Sequence, residues 1–300
     1  MSSLKKFDVH QEITNRIVGA LETAGECTLP WIRDKGGSMK RPVNVASKNP
    51  YNGVNIVSLW VSSLAAGYPS NTWGTYRQWQ ASGAQVRKGE KASLVVFYKT
   101  IDFEHKNEQT GEAEQAERMF ARASWVFNAA QVEGFVPEAA APIPEEPIFD
   151  PIARAEAFVT ATGAVIEEGG DMAAFIPARD MIRMPNRKRF VSTDTMSVAE
   201  GFYSTLFHEL VHWSGARPRL DRDLTGRFGT ESYAMEELIA ELGSAFLCSD
   251  LGITPEPRAD HASYIKNWLQ VLKRDNRAIF SAASKASEAA NWLIAKEGAA

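Results

Sequence analysis

The residues best suited to chemistry stand close together in the pattern His208-Glu209-x-x-His212. Residues four positions apart lie on one face of a helix, so both imidazoles can reach a single metal ion. Glu209 follows the first histidine, where a carboxylate can take a proton from metal-bound water. The spacing therefore predicts a metal site of a hydrolytic kind, with His208 and His212 as ligands and Glu209 as the catalytic base.

The same short pattern also occurs on surface helices that carry two ordinary histidines and bind no metal. The neighbouring side chains favour a buried helix instead, because they are apolar: Leu206, Phe207, Leu210, Val211 and Trp213. Buried histidines and a buried glutamate need polar partners, which a metal ion supplies. Predicted strands upstream of this helix also give the chain order expected of a zincin-type peptidase domain.

A metal that keeps one position open for water needs a third protein ligand. Glu237 and Glu241 share one face of a second predicted helix, at about 232–250. The order Glu-x-x-Ala-acid resembles the third-ligand helix of several gluzincin families, in which the first glutamate binds the metal. On that resemblance we expect Glu237 as the ligand and Glu241 as support for a histidine N–H, although the reverse assignment or a solvated acidic flank stays open. Glu236 is expected at the surface.

The predicted ligand set also indicates which metal the site would take. Two histidines and one glutamate favour Zn²⁺, and another divalent ion such as Mn²⁺ would also accept these ligands. We therefore expect Zn²⁺, with Mn²⁺ as the alternative.

Length and composition narrow the class of protein. The chain has 300 residues, enough for one large domain or two of ordinary size, with 44% hydrophobic and 23% charged residues. Two cysteines are too few for a disulfide framework. The sequence has no apolar run near the ~20 residues that span a bilayer, and its N-terminus lacks the apolar segment of a secretory signal. We expect a cytoplasmic protein with no membrane partner.

The charge is unevenly distributed and suggests two domains. Residues 1–100 contain 13 Lys or Arg against 6 Asp or Glu, a net charge of +7, whereas the rest of the chain has −11. A basic part attracts polyanions. The stretch 137–149 is rich in Pro and Glu and has little to bury, so it predicts an extended linker. We expect one domain at 1–136 and a second at 150–300.

Periodicity and turn residues predict an α+β fold in both halves. Of the four short strands predicted before the His208 helix, the one at 180–184 is expected to be the edge against which an extended peptide could pair. In the first half three helices are predicted: at 7–24, at 53–66, and a third that begins at the capping residues 70–72 and ends near Gly83. They are followed by a β-hairpin of 84–87 with 91–103, a loop at 104–117 and a strand at 123–128. In the second half they are a helix at 150–163, strands at 164–166, 173–176, 180–184 and 190–192, and helices at 197–214, 232–250, 259–274 and 276–296.

Basic and aromatic residues are interleaved in the first half. Proteins that hold single strands use this combination, in which cations follow the phosphates and rings stack on the bases. The alternative is that Trp73, Tyr76 and Trp79, three residues apart, fill a core while the cations are simply solvated. The candidates for DNA binding are Trp31, Lys40, Arg41, Lys48, Tyr51, Trp73, Tyr76, Arg87, Lys88 and Lys91.

Longer motifs in both halves resemble the ArdC family of antirestriction proteins. They lie at 49–55, in Trp73-x-Thr75-Tyr76-x-Gln78, and at 83–91, 202–215 and 233–242. The resemblance implies a single-stranded-DNA-binding domain joined to a zincin-like metallopeptidase domain. It also implies that the protein protects incoming plasmid DNA from host restriction during conjugation. The alternative function is a DNA-associated peptidase that cleaves a partner such as a restriction subunit and uses DNA only for targeting.

Overall fold

The computed structural model describes residues 7–24, 39–106, 113–135, 151–192, 196–227, 230–253 and 261–298. Trp31 and the whole of the predicted linker at 137–149 lie outside these residues. Within them, no helix has the length and apolar character needed to cross a membrane. Helices and strands occur in both halves, as the sequence predicts.

The described part of the N-terminal half combines three α-helices with six strands. In chain order they are α1 (Val9–Ala24), β1 (Val43–Asn44), α2 (Val54–Ala66), β2 (Thr72–Gly74), α3 (Tyr76–Ala81), β3 (Gln85–Val86), β4 (Ser93–Lys106), β5 (Ala113–Asn128) and β6 (Val132–Glu133). Four strands form one sheet in the order β1-β2-β5-β4, and β3 pairs with β6 in a second sheet.

Helix α2 covers part of the exposed edge of β4. The Asn55 side chain donates to the Val96 carbonyl and accepts from the Val96 amide, both at 2.8 Å. Ser58 donates to the Leu94 carbonyl at 2.8 Å. Backbone groups at the edge of a sheet need partners when they are buried, so these two side chains take the place of a further strand.

Three predictions for this half are wrong. Trp73 lies on β2 and not on a helix, because the helix begins only after Thr75, whose side chain accepts from the Gln78 amide in a capping box. The predicted hairpin of 84–87 with 91–103 does not form: β3 pairs with β6, and β4 pairs with β5 along its whole length. Much of the predicted loop at 104–117 therefore belongs to this long β4–β5 ribbon.

The C-terminal half places a small sheet beside a group of helices. Its elements are α4 (Pro151–Thr162), β7 (Val165–Glu168), β8 (Ala174–Ile176), β9 (Met181–Met184), α5 (Val198–Ser214), α6 (Glu231–Leu251), α7 (His261–Arg274) and α8 (Ala278–Ile294). The predicted helices of this half are confirmed within about three residues at each end. No strand forms at 190–192, where the Phe190 ring packs against Phe202 instead, with centroids 5.4 Å apart.

The order of the small sheet is β7-β9-β8, with β9 parallel to β7 and antiparallel to β8. The prediction that 180–184 is an edge strand is therefore wrong, because that segment is the central strand β9. The last of these three strands takes the middle position, and β8 becomes an edge. This order matters for the site, since β8 lies against α5.

Helices α5 and α6 pack unusually closely. A Cβ atom at Gly243 of α6 would lie 2.7 Å from Val211 Cγ2 of α5, closer than real Cβ contacts occur. Ser197 and Glu200 form a capping box that begins α5, and Gly252, with φ of 72°, ends α6. Glycine at 243 therefore lets the two helices that carry the predicted ligands approach each other.

The two halves share one apolar core. Trp60 of α2 packs edge-on against Phe246 of α6, with ring centroids 5.7 Å apart. Hydrogen bonds also cross between the halves, from Thr14 Oγ1 to the Asn276 carbonyl at 2.8 Å and from the Gly53 amide to Ser287 Oγ at 2.9 Å. The N-terminal half is thus docked on the helices that support the predicted metal site.

The close approach of α5 and α6 can be tested with Gly243→Ala. Val211 is buried and β-branched, so it adjusts poorly, and we expect a loss of about 1–3 kcal/mol in the free energy of unfolding. The matched control is Gly19→Ala in α1, where a Cβ would meet nothing within 4 Å. There we expect no loss, or a gain of up to about 1 kcal/mol. Urea denaturation of both variants checks this, and equal stability of the two would contradict the account.

Candidate metal centre

Three predicted ligands converge between α5 and α6. His208 Nε2 and His212 Nε2 are 3.2 Å apart, and they lie 3.5 Å and 3.6 Å from the two carboxylate oxygens of Glu237. Tetrahedral coordination with bonds of about 2.0–2.1 Å separates ligand atoms by roughly 3.3 Å. Among the described residues, His208, His212 and Glu237 are also the group whose donor atoms lie within 4.8 Å of one another. The arrangement fits a divalent metal ion.

The negative charge of Glu237 also supports metal binding at this site. Burial raises the pKa of Glu237, but hydrogen bonding with His208 and the charges of both histidines outweigh this and bring the pKa to about 2. Glu237 is therefore a carboxylate at neutral pH, which is the form that binds a metal. Tyr233 adds a further hydrogen bond to this carboxylate.

Each histidine has a carboxylate behind it. Glu241 Oε2 lies 3.7 Å from His208 Nδ1, and Glu236 Oε1 lies 3.1 Å from His212 Nδ1. Glu236 lies within hydrogen-bonding distance of Nδ1, and such an acceptor favours the tautomer that leaves Nε2 to bind a metal. The contact of Glu241 with His208 is longer than a hydrogen bond, so Glu241 acts on that ring through its charge. Both imidazoles are thus turned with Nε2 toward Glu237.

The structure corrects the prediction that Glu236 is at the surface. Glu236 is buried and forms an ion pair with Arg222, with Arg222 Nη2 2.8 Å from Oε1. Burial raises the pKa of Glu236, but hydrogen bonds with His212 and Arg222 outweigh it and leave the pKa below its usual value. The reason for this position is the loop after α5, which folds back and brings Arg222 to the end of that helix.

Arg222 is held firmly in this position. Its guanidinium also donates to the Val211 carbonyl and to Ser214 Oγ, near the C-terminus of α5, where a cation is favoured. A Cβ at Gly215 would lie 2.6 Å from Arg222 Nη2, so a larger residue there would displace the guanidinium. Arg222, Glu236 and His212 therefore form one connected polar chain.

Glu209 lies in the same cavity and is oriented by the small sheet. Its Oε2 atom accepts a hydrogen bond of 2.8 Å from the Phe175 amide of β8. The cavity has a volume of about 600 Å³ and is lined by both histidines, Glu209 and Glu237, together with Phe175 and Tyr233. A carboxylate next to the ligands and open to a substrate-sized space can act as a general base.

Comparisons with known proteins agree with this geometry. The model of the N-terminal domain of anti-restriction factor ArdC matches residues 7–127, and the model of a zincin-like metallopeptidase matches residues 153–285. A metal-free crystal structure of the antirestriction protein ArdC from plasmid R388 shares 38% identity, with a TM-score of 0.79, over 98% of this chain and 99% of that one. The chain belongs to the ArdC family. It has the two domains of that family.

Further relatives extend this comparison. The Mn(II)-bound crystal structure of the same R388 protein aligns with a TM-score of 0.75 over 97% of this chain and 98% of that one. An uncharacterized protein, y4eC, of Sinorhizobium fredii is 47% identical over 97% of this chain and 92% of its own length. The DNA primase TraC of Escherichia coli is 34% identical over 99% of this chain, which spans only 28% of TraC. A divalent metal, Zn²⁺ or Mn²⁺, therefore agrees with the ligands of the site, and the R388 ArdC structure was solved with Mn(II) bound.

The structure separates the residues predicted to bind DNA into two groups. Trp73 is fully buried and Tyr51 nearly so, with the Tyr51 hydroxyl accepting from Asn44 at 3.1 Å. Arg41 forms an ion pair of 2.9 Å with Asp250 in the contact between the domains. Their predicted roles at a DNA surface are therefore wrong. The exposed candidates stay predictions: Lys40, Lys48, Tyr76, Arg87, Lys88 and Lys91.

Four of these exposed residues are brought toward one another. The Tyr76 hydroxyl accepts a hydrogen bond from Gln85, two residues before Arg87, and Arg87 in turn pairs with Glu90 at 2.6 Å. Lys88 and Lys91 flank that turn.

Sequence reasoning missed three groups of the metal centre. Tyr233 precedes Glu237 by one helical turn, so its place on the ligand face could have been read from the spacing. The Phe175 amide and Arg222 carry no such signal, because only the folded chain brings a strand edge and a returning loop to α5.

The assignment of Glu237 as ligand can be tested against Glu241. Glu237→Ala removes a ligand, whereas Glu241→Ala removes only a carboxylate beside His208, and the loss of such a supporting group typically lowers affinity 10–100-fold. Zinc affinity, measured by competition with a chromophoric chelator, should therefore fall further in Glu237→Ala than in Glu241→Ala. The reverse order would make Glu241 the ligand.

The polar chain behind His212 predicts a role for Glu236 in metal binding. Glu236→Ala should weaken zinc binding about 10–100-fold, because His212 loses the acceptor that fixes its tautomer. Glu236→Gln keeps an acceptor and should recover part of this loss. The control is Glu231→Ala, an exposed residue at the start of the same helix that pairs with Arg274. Equal affinities of the Glu236→Ala and Glu231→Ala variants would show that Glu236 does not act on the metal site.

Proposed function

We propose that this protein binds single-stranded DNA and protects incoming plasmid DNA from host restriction during conjugation, in the cytoplasm of the receiving bacterial cell. Its C-terminal domain carries a divalent-metal site with the arrangement of a metallopeptidase. One observation supports this most strongly: the domain that carries the metal site and its general base shares one apolar core with a domain of the ArdC N-terminal type.

The chemistry of the metal site follows from the positions of its side chains. A divalent ion held by His208, His212 and Glu237 would act as a Lewis acid and activate water. Glu209 is held by the Phe175 amide where it can accept the proton of the attacking water and later deliver it to the leaving amine. Tyr233 lines the same cavity and donates its hydroxyl proton to the Glu237 carboxylate, which helps to hold this ligand in place.

A peptide substrate would have a natural position in this cavity. Strand β8 is an edge of the small sheet, and its Phe175 amide touches Glu209. Extended peptides bind by adding to such an edge. A peptide lying along β8 would therefore pass next to Glu209.

This arrangement supports a second candidate function, in which the protein is a DNA-associated metallopeptidase that cleaves a protein partner such as a restriction subunit. DNA binding would then serve only to bring the site to its substrate. The two candidates differ in whether protection requires the chemistry of Glu209.

Glu209→Gln separates the two candidates. The variant keeps the size of the side chain but cannot accept a proton as a carboxylate does, so it should retain fold, metal and DNA binding. We expect it to protect plasmid transfer into a restricting recipient as well as wild type does, measured as transfer frequency relative to a non-restricting recipient. The control is Glu231→Gln at the surface. Loss of protection in Glu209→Gln alone would favour the peptidase.

Binding of single strands should depend steeply on salt. The excess of basic residues in the first 100 residues predicts phosphate contacts, each of which releases counterions. For Z such contacts the logarithm of affinity should fall with the logarithm of salt concentration with a slope of about −0.7Z. Fluorescence anisotropy over a salt series measures the slope, and an affinity that does not change with salt would reject the proposal.

A further inference from the structure

One face of the β4–β5 ribbon presents two aromatic rings and two cations. The register pairs Phe97 with Arg122 and Lys99 with Phe120. Paired residues point to the same face of an antiparallel ribbon, and so do residues two apart on one strand. The four side chains therefore alternate, ring beside cation, in two adjacent rows. We call Phe97, Lys99, Phe120 and Arg122 the ribbon face.

The rings of this face are open to solvent. Phe97 is 46% exposed and Phe120 is 43% exposed, whereas Trp73 and Trp79 are 0% exposed. Lys99 and Arg122 are exposed as well, and neither has an ion pair among the residues that the structure describes. Phenyl rings in water are unfavourable in solvation free energy. A patch of several exposed aromatic rings therefore indicates a binding surface.

Helix α1 packs against part of the opposite face of the ribbon, where the Tyr98 and Trp125 rings are still 48% and 45% exposed. His10 of α1 lies 3.1 Å from the Tyr98 hydroxyl, and Arg16 stacks on the Trp125 ring at 5.8 Å from its centroid. Tyr98 and Trp125 alternate along their strands with the residues of the ribbon face. Lys99 and Arg122 therefore lie on the face that α1 leaves open.

The alternation of rings and cations matches one class of ligand. In a single strand the bases are accessible for stacking and the phosphates recur at each nucleotide, so rings and cations side by side can engage both. A duplex keeps its bases stacked inside, where phenyl rings on a flat ribbon do not reach them. Diagonal neighbours on a ribbon, such as Phe97 and Phe120, are roughly 7–8 Å apart, so each ring can take a separate base.

We propose that the ribbon face is the surface that binds single-stranded DNA. Phe97 and Phe120 stack on bases, and Lys99 and Arg122 contact the adjoining phosphates. This assignment rests on the proposed function and gives it a location, which differs from the residues first predicted from the sequence.

The test uses the full chain and a fluorescently labelled oligothymidylate. Phe97→Ala and Phe120→Ala should each weaken binding roughly 5- to 150-fold, the usual effect of losing one stacked base. The double variant Lys99→Gln/Arg122→Gln should depend less on salt. The slope of log affinity against log salt concentration should be shallower by about 0.7 for each phosphate that the variant no longer neutralises. Val165→Ala and Lys188→Gln, exposed residues of the other domain, are the controls and should bind as wild type does.

Conservative variants exclude a trivial loss through misfolding. Phe97→Trp and Phe120→Trp retain a ring that stacks, so their affinities should stay within about threefold of wild type, or rise, since stacking tolerates any aromatic ring. Thermal unfolding of every variant should match wild type, because the changed side chains are exposed. A tryptophan variant that binds as weakly as the alanine variant would overturn the stacking assignment.

The outcomes also separate this assignment from the proposed function. If wild type does not bind the oligothymidylate, the proposed function fails and the ribbon face has no ligand of this class. If wild type binds but the ribbon variants bind equally well, the function stands and the location is wrong. Stronger binding to duplex DNA or to RNA than to single-stranded DNA would overturn the choice of ligand.

Discussion

The close contact between α5 and α6 is the constraint on which the rest of the C-terminal domain depends. Two histidines on one helix supply two ligands at fixed spacing, but the third must come from another helix at the right distance. Gly243 lets α6 approach Val211 of α5, and this approach brings Glu237 within 3.6 Å of both imidazoles. A larger residue at 243 would separate the helices and open the ligand triangle.

Around this contact, charges of alternating sign keep the ligands in place. Glu236 supports His212 and is itself balanced by Arg222, whose remaining donors satisfy the end of α5. Buried charges are tolerated when each has a partner, and removing one partner is costly. The helices on the far side of α6 also pack against the N-terminal domain, so the metal site and the domain that carries the ribbon face share one core.

The sequence predicts helical spacing well and long-range pairing poorly. His208, Glu209 and His212 could be assigned because the spacing belongs to one helix, and Glu237 because a resemblance named it. The buried position of Glu236 could not be predicted, because its partner Arg222 lies in the loop after α5 and meets Glu236 only in the folded chain. In the N-terminal half Trp73, Tyr76 and Trp79 share a helical spacing by coincidence, because the Thr75 cap starts the helix between the first two. The pairing of β4 with β5, which creates the ribbon face, depends on contacts that no local pattern encodes.

The central claim is that His208, His212 and Glu237 together hold a divalent metal. The most direct test is anomalous X-ray diffraction at the zinc edge, from crystals of the full chain grown with zinc. We predict one strong peak between α5 and α6, about 2.0–2.2 Å from both Nε2 atoms and from a Glu237 oxygen. A peak bound by Glu241 in place of Glu237, or no peak at the two histidines, would contradict the account.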